Sequence, residues 1–300
     1  MVSIVKKTIK GRTYYYLAHT VRKEGKVEKK EKYLGASLPK NMEALKSEFM
    51  REIYAGKWHS ELDRIKEGYA KEQKALPPSA AEKELENFSI RFTYDSQRIE
   101  GSMLTLRETA DLLEKSISPK SKPVRDAKEA EVHQAIFYEM LESKKDMALN
   151  EVLYWHKKLF QETKPDIAGK IRAHQVMISG SRFVPPSPVE VYPMLTEFFK
   201  WYEKSKGKLH PVELAALVHL KFVTIHPFAD GNGRISRLMM NFVLHRHGFP
   251  MLNVPYEHRS GYYTALERAQ VKGQDFIFVN WFFRRYVDEF RRLLKPKKAK

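Results

Sequence analysis

The feature that most limits how this chain can fold is the run His226-Pro227-Phe228-Ala229-Asp230-Gly231-Asn232-Gly233-Arg234-Ile235-Ser236-Arg237. Gly231 and Gly233 lack a Cβ, so the backbone from Asp230 to Arg234 can turn through positive φ and converge its N–H groups on one point. Such a concave set of donors binds anions. From Ile235 onward the pattern changes, because Ile235, Leu238, Met239, Phe242 and Val243 recur at the spacing of a single apolar helical face. A helix therefore begins where the glycines end, and its free N–H groups and positive dipole end face the same loop. Arg234 and Arg237 lie three residues apart and are expected on the face opposite the apolar one, reaching over the loop to fork onto phosphate oxygens. Asp230 adds an oxygen ligand for a hard cation such as Mg²⁺, and His226, which titrates near neutrality, suits a general base. The run reads as a phosphate-handling site.

Position by position, the same residues match the HPFx[DE]GNGRxxR signature, and the chain thereby resembles the Fic family. The resemblance implies transfer of a nucleotide monophosphate, usually AMP from ATP, onto a Ser, Thr or Tyr hydroxyl of a target protein, with self-modification as an accessible variant. It implies that His226 deprotonates the hydroxyl, that Asp230 holds Mg²⁺, and that Phe228, Gly231, Asn232 and Gly233 belong to the nucleotide site, with the Gly231–Gly233 stretch cradling the α-phosphate. Arg234 and Arg237 would bind the β- and γ-phosphates. This suits phosphoryl-type transfer, where positioning and charge neutralisation supply most of the catalysis. Relatives that transfer UMP, phosphocholine or phosphate leave the donor open.

More than a hundred residues earlier, Ser96-Gln97-Arg98-Ile99-Glu100-Gly101 lies at the end of an expected helix, over about 80–100. Ser79 with Glu82 reads as the capping box that starts it, and Gly101 is placed to stop it. Ser96 and Glu100 share a face. Within a Fic-like chain this stretch resembles the inhibitory [ST]xxxE[GN] motif, and the resemblance implies that Glu100 pairs with Arg237 and denies it to the ATP γ-phosphate. In some relatives the same glutamate positions a water that removes AMP, so a de-AMPylating hydrolase is the alternative reading.

Residues 169–186 alternate through Arg172, Val176 and Ile178, turn at Gly180 and return through Phe183-Val184, which reads as a β-hairpin. It resembles the Fic flap, which implies target docking by strand addition along Val176, Met177, Ile178 and Ser179. Tyr262 and Tyr263 follow downstream, one of them expected on the adenine and buried core tyrosines being the competing reading. Relatives often carry Asn shortly after, where this chain has Gln270, which leaves the base contact open. His133, His156 and His174 lack a second ligand at metal spacing and read as structural.

Helical periods dominate from Met42 onward, so the fold class is mainly α: a Fic-type helical core with a β-hairpin flap, plus a small N-terminal β-meander. Residues 1–36 are the lysine-rich β element, with Tyr14, Tyr15 and Tyr16 and a turn at Lys23-Glu24-Gly25-Lys26. Within a helical linker over 37–78, Asn41 is expected to cap a helical stretch reaching about Lys74, and the chain breaks at Leu76-Pro77-Pro78. A Fic domain over 79–295 and a basic tail over 296–300 complete the layout. With 42% hydrophobic residues in 300, a core is affordable. The chain has no cysteine, so disulfides and thiolate metal sites are excluded. No apolar run reaches the length of a membrane span and the start has no signal-peptide pattern, so a cytoplasmic, membrane-free protein is expected. The net charge is +17, from 54 basic and 37 acidic residues. It opens a third reading, a nucleic-acid-binding regulator acting through residues 1–36. Apolar helical faces look alike in a core and in a dimer, so a homodimer stays open.

Overall fold

The computed structural model describes residues 2–23 and 26–294; Glu24-Gly25 of the expected second turn, and the basic tail, lie outside the described residues. The chain divides into two compact units, Met1–Arg64 and Ile65–Lys300.

The first unit opens with β1 (Ser3–Ile9), β2 (Arg12–Lys23) and β3 (Lys26–Gly35), an antiparallel sheet in that order. Lys10 and Gly11 join β1 to β2 with φ of 47° and 75°. Two left-handed residues give the turn a twist that matches the strands. One face of the sheet buries Leu17 and Val21, and α1 (Met42–Tyr54) packs against β2. Asn41 sits at the N-cap of α1, yet its side chain makes no capping bond. A π-helical turn (Ala55–His59) carries α1 into α2 (Ser60–Ala75).

The division at Arg64–Ile65 falls inside α2, upstream of the Leu76–Pro78 break. The C-terminal half of α2 belongs with the second unit because Gly68 lies against Leu293 and Glu72 pairs with Arg292.

The second unit is helical: α3 (Pro78–Ile99), α4 (Leu106–Lys115), α5 (Val124–Glu142), α6 (Leu149–Phe160), α7 (Pro188–Ser205), α8 (Pro211–Ile225), α9 (Asn232–Arg246), α10 (Arg259–Lys272) and α11 (Asp275–Glu289). The fold is mainly α, with the small N-terminal sheet. At its centre α8 is buried on every side from Val212 to Leu220, mostly with apolar side chains, as an interior helix must be, and beyond that only Lys221 and Thr224 are partly exposed before Ile225. α7, α9 and α11 pack around it, and α3 lies against α5 and α9.

Two local expectations change. The start of α3 is set by Pro77 at the N-cap and Pro78 at the first helical position, not by a Ser79–Glu82 capping box. Proline pre-sets the helical φ and loses only an N–H that would be orphaned there anyway, which leaves Ser79 inside the first turn. The flap, in turn, is not a hydrogen-bonded hairpin. Its two extended arms meet at a turn closed by the Ser181 N–H donating to the Ile178 carbonyl at 3.1 Å, but no strand ladder joins them. Pro185 and Pro186 have no N–H to offer a ladder. Side chains tie the arms instead: Arg172 donates to the carbonyls of His174 (3.0 Å), Pro186 (2.6 Å) and His226 (2.8 Å), and Gln175 to that of Pro185 (2.9 Å).

Candidate active site

His226 ends α8 in the left-handed region, at φ 52°. Its Nδ1 lies 3.2 Å from the Val223 carbonyl, which can only accept, so Nδ1 carries the proton. Nε2 is then the unprotonated nitrogen. Burial lowers the His226 pKa below the usual histidine value. The side chain is therefore neutral at pH 7 and presents a lone pair, the form a proton acceptor requires.

The loop that follows is braced from within. Asn232 is a clasp: its amide donates to the Phe228 carbonyl at 2.8 Å and accepts from the Phe228 N–H at 2.9 Å. Phe228 is buried and stacks on His156 at 3.7 Å between ring centroids. His156 Nδ1 accepts from the Gly169 N–H at 2.9 Å, while Nε2 donates to the Asp230 carbonyl at 3.0 Å. Burial drops its pKa to about 4, so this ring stays neutral and structural. Phe228 and the Asn232 side chain thus shape the loop from behind rather than facing a ligand.

Gly231 caps α9 at φ 83°, and a β-carbon there would lie 2.5 Å from the Phe160 ring. Gly231→Ala is expected to destabilise the protein by about 1–3 kcal/mol from backbone strain alone, with the clash in addition. Thermal unfolding checks this, and a variant as stable as the parent would contradict it.

Neither arginine sits on a solvent-facing side of α9, contrary to the reading from spacing. From Arg234 to Leu244 α9 is buried all round, Met240 and Asn241 included, and Arg234 and Arg237 are 3% and 1% exposed. Arg234 forms an ion pair with Glu129, donates to Gln97 at 3.0 Å and reaches Asp230 at 3.1 Å. Arg237 donates to the Ser96 hydroxyl and carbonyl, each at 2.9 Å, and to Glu100 Oε1 at 2.7 Å. Ser96 and Glu100 thus converge on one guanidinium. The Gly101 N–H closes the last turn of α3 onto the Arg98 carbonyl at 3.1 Å, with φ of 96°.

Glu100 also fills the space over the loop. A β-carbon on Gly233 would lie 2.2 Å from Glu100 Oε1. The carboxylate therefore rests against the first turn of α9, whose leading N–H groups have no carbonyl one turn back.

Asp230 carries a second lock. Lys164 donates to its carboxylate, and Arg234 lies on the other oxygen. Burial alone would raise the Asp230 pKa, but the Arg234 and Lys164 charges outweigh it and bring it to about 2. Among the described residues no group of three or more His, Cys, Asp or Glu could enclose a metal.

The two tyrosines part ways. Tyr262 is 2% exposed and its hydroxyl meets His219 Nε2 at 2.9 Å and Arg237 at 3.4 Å, so it belongs to the core. Tyr263 is 46% exposed and donates to the Ile99 carbonyl at 3.0 Å. Gln270 donates to the Thr224 hydroxyl at 3.2 Å. On the flap, Met177 is 83% exposed and Ser179 also faces solvent, whereas Val176 and Ile178 are half-buried.

Glu129, Gln97, Lys164 and the bracing role of Arg172 went unread in the sequence. A lone glutamate on a helix looks like a solvated face, and nothing near Glu129 signals a buried partner 105 residues away.

The geometry is that of a helical domain in which a glycine loop, backed by two buried arginines, lies beside a neutral histidine. Residues 146–244 match the model of the Fic/DOC family. The chain is 35% identical over 180 residues to protein adenylyltransferase Fic of Drosophila melanogaster, covering 59% of this chain and 36% of that protein. The Drosophila virilis protein of the same name is 36% identical over 180 residues, covering 59% and 37%. The chain thus spans about a third of the length of these curated relatives. Among solved structures, a Fic domain containing signaling protein from Bacteroides thetaiotaomicron superposes with TM-score 0.69 at 28% identity, covering 77% of this chain and 96% of that one. Fic-1 from C. elegans superposes with TM-score 0.70 at 27% identity, covering 85% and 78%. No described helix is long and apolar enough to cross a membrane.

Proposed function

We propose that this chain is an auto-inhibited protein adenylyltransferase that moves AMP from ATP to a hydroxyl side chain of a target protein. The observation that carries the reading is the Glu100 carboxylate, held at 2.7 Å by Arg237 and resting on Gly233, where an anionic ligand of the loop would lie. A carboxylate occupying an anion cradle is a built-in competitor for phosphate.

In the active state the target's hydroxyl oxygen attacks the α-phosphorus, the bond to the pyrophosphate oxygen breaks, and the hydroxyl proton passes to His226 Nε2. The N–H groups at the start of α9 stabilise charge on the α-phosphate. Arg237, once free of Glu100, neutralises the outer phosphates, while Arg234 stays committed to Glu129 and shapes the loop beside them. Asp230, ionised and at the loop, fits a Mg²⁺ held by one carboxylate and substrate phosphates. Bound there, the ion would neutralise phosphate charge, with Lys164 giving way. Tyr263 is the tyrosine available to the adenine. Val176 to Ser179 form the part of the flap that would meet the target backbone.

The test is incubation with α-labelled and, separately, γ-labelled ATP plus Mg²⁺. Losing a charge-assisted hydrogen bond of roughly 1.5–3 kcal/mol predicts that Glu100→Gly raises labelling from the α-phosphate on the order of 10- to 100-fold. Labelling from γ alone would replace the reading with a kinase-like one.

A hydrolase reading has the setting of Glu100 in its favour: its side chain stays 26% exposed, and its charge is felt at His226. A glutamate so placed could orient a water against an AMP-modified residue. Loss rather than gain of turnover in Glu100→Gly, measured on pre-modified protein, would favour it.

A further inference from the structure

We propose that the open face of the N-terminal sheet is a docking surface for double-stranded DNA, laid into the major groove. This goes beyond the transferase reading and does not depend on it.

Charge is the first observation. Residues 1–36 hold ten basic and three acidic side chains, whereas residues 37–64, the rest of the first unit, hold five of each. The excess of this unit therefore lies wholly in the sheet. A polyanion is the ligand such an element attracts.

Register is the second. Lys32 is opposite Leu17 and shares its face. It pairs with Glu48 and Glu52 of α1, at 3.1 and 2.7 Å, so α1 covers that face around Leu17 and Lys32. The other face carries Lys7, Arg12, Tyr14, Tyr16, Lys29 and Tyr33. Arg12, Lys29 and Tyr33 are exposed, Tyr33 at 55%. Glu31 is the acidic residue among them and is already bound by Lys7 and Lys29.

Ring geometry selects the form of nucleic acid. Single-strand binding needs aromatic faces free for successive bases. Here Tyr33 lies 6.1 Å from Tyr14 and 5.3 Å from Tyr16, both tilted, and Lys7 Nζ sits 4.6 Å over the Tyr16 ring. The rings are spent on one another and on Lys7 rather than left free to stack on bases. Three strands at the usual spacing put the outer strand axes about 10 Å apart, comparable with a B-DNA major groove about 12 Å wide. The deep, narrow major groove of duplex RNA would not admit it.

Fluorescence anisotropy of the full chain with a labelled 20-base-pair duplex, titrated across KCl concentrations, tests this. Lys7→Ala/Arg12→Ala/Lys29→Ala is expected to weaken binding at least tenfold and reduce the salt slope by about 2–3. Lys7→Arg/Arg12→Lys/Lys29→Arg should keep the parent slope, separating lost charge from a misfolded sheet. Alanines at Lys200, Lys204 and Lys208 should leave binding unchanged, as should alanines at Lys295, Lys297, Lys298 and Lys300. The proposal is overturned if the sheet variant binds like the parent, if either control set loses as much, or if single-stranded DNA or duplex RNA binds more tightly than duplex DNA.

Discussion

Replacing His226 with alanine in the Glu100→Gly background is expected to cut AMP transfer by about 10²- to 10⁴-fold, the usual contribution of a positioned general base. The geometry gives this loss a specific form. With Nδ1 committed to the Val223 carbonyl, only Nε2 can accept the hydroxyl proton. ATP binding should survive the substitution, because the cradle and Arg237 are untouched, so kcat falls while the nucleotide affinity holds. The pH profile of Glu100→Gly carries a second signature. Burial lowers the His226 pKa, and the neutral form is the active one. Activity should therefore persist below the ordinary histidine midpoint near 6.5 and disappear only as pH falls through the lowered value. An acid limb at or above that midpoint would contradict the assignment, as would a His226→Ala enzyme that labels normally.

Glu129→Ala is expected to lower the unfolding free energy by about 3 kcal/mol, at the low end for breaking one side of a buried ion pair. Glu129 and Arg234 are 5% and 3% exposed. Removing the carboxylate leaves Arg234 buried with a neutral amide and Asp230, and Asp230 is the reason the low end applies. The Thr163 hydroxyl, which donates to Glu129 at 3.0 Å, also loses its partner. Glu129→Gln keeps the shape and should cost less. Chemical denaturation of the two variants beside the parent measures the difference, and a change under about 1 kcal/mol for Glu129→Ala would show that Asp230 alone satisfies the arginine.

These two residues mark what the sequence could and could not say. His226 to Arg237 was legible because glycine, histidine and arginine in that order have few other uses, and the meander was legible because alternation and turn residues are local signals. The pairing of Glu100 with Arg237 came from resemblance rather than spacing, since a residue's place on its helix says nothing of a partner 137 away, and the contact of Ser96 with the same guanidinium left no signal at all. Glu129 and Lys164 left no trace, because burial of a charge is decided by packing among elements distant in sequence. The flap departs from its alternation because Pro185 and Pro186 cannot donate to a ladder, a constraint that alternation alone does not carry. Tyr262 and Tyr263 are neighbours in sequence, and only the helix they share decided which faces inward.

The end of α3 is anchored on several sides. Asp95 holds Asn253 and accepts from the Tyr256 N–H at 2.8 Å, Gln97 donates to the Glu129 carbonyl at 2.8 Å, and Tyr263 ties down the Ile99 carbonyl. Glu100 is thus a short lever on a fixed post. On the auto-inhibited reading, release needs only torsions within one side chain, which turn over far faster than a helix can undock. Such a brake would slip briefly and often rather than open once for long, and a partner could tune its duty cycle by touching Glu100 alone.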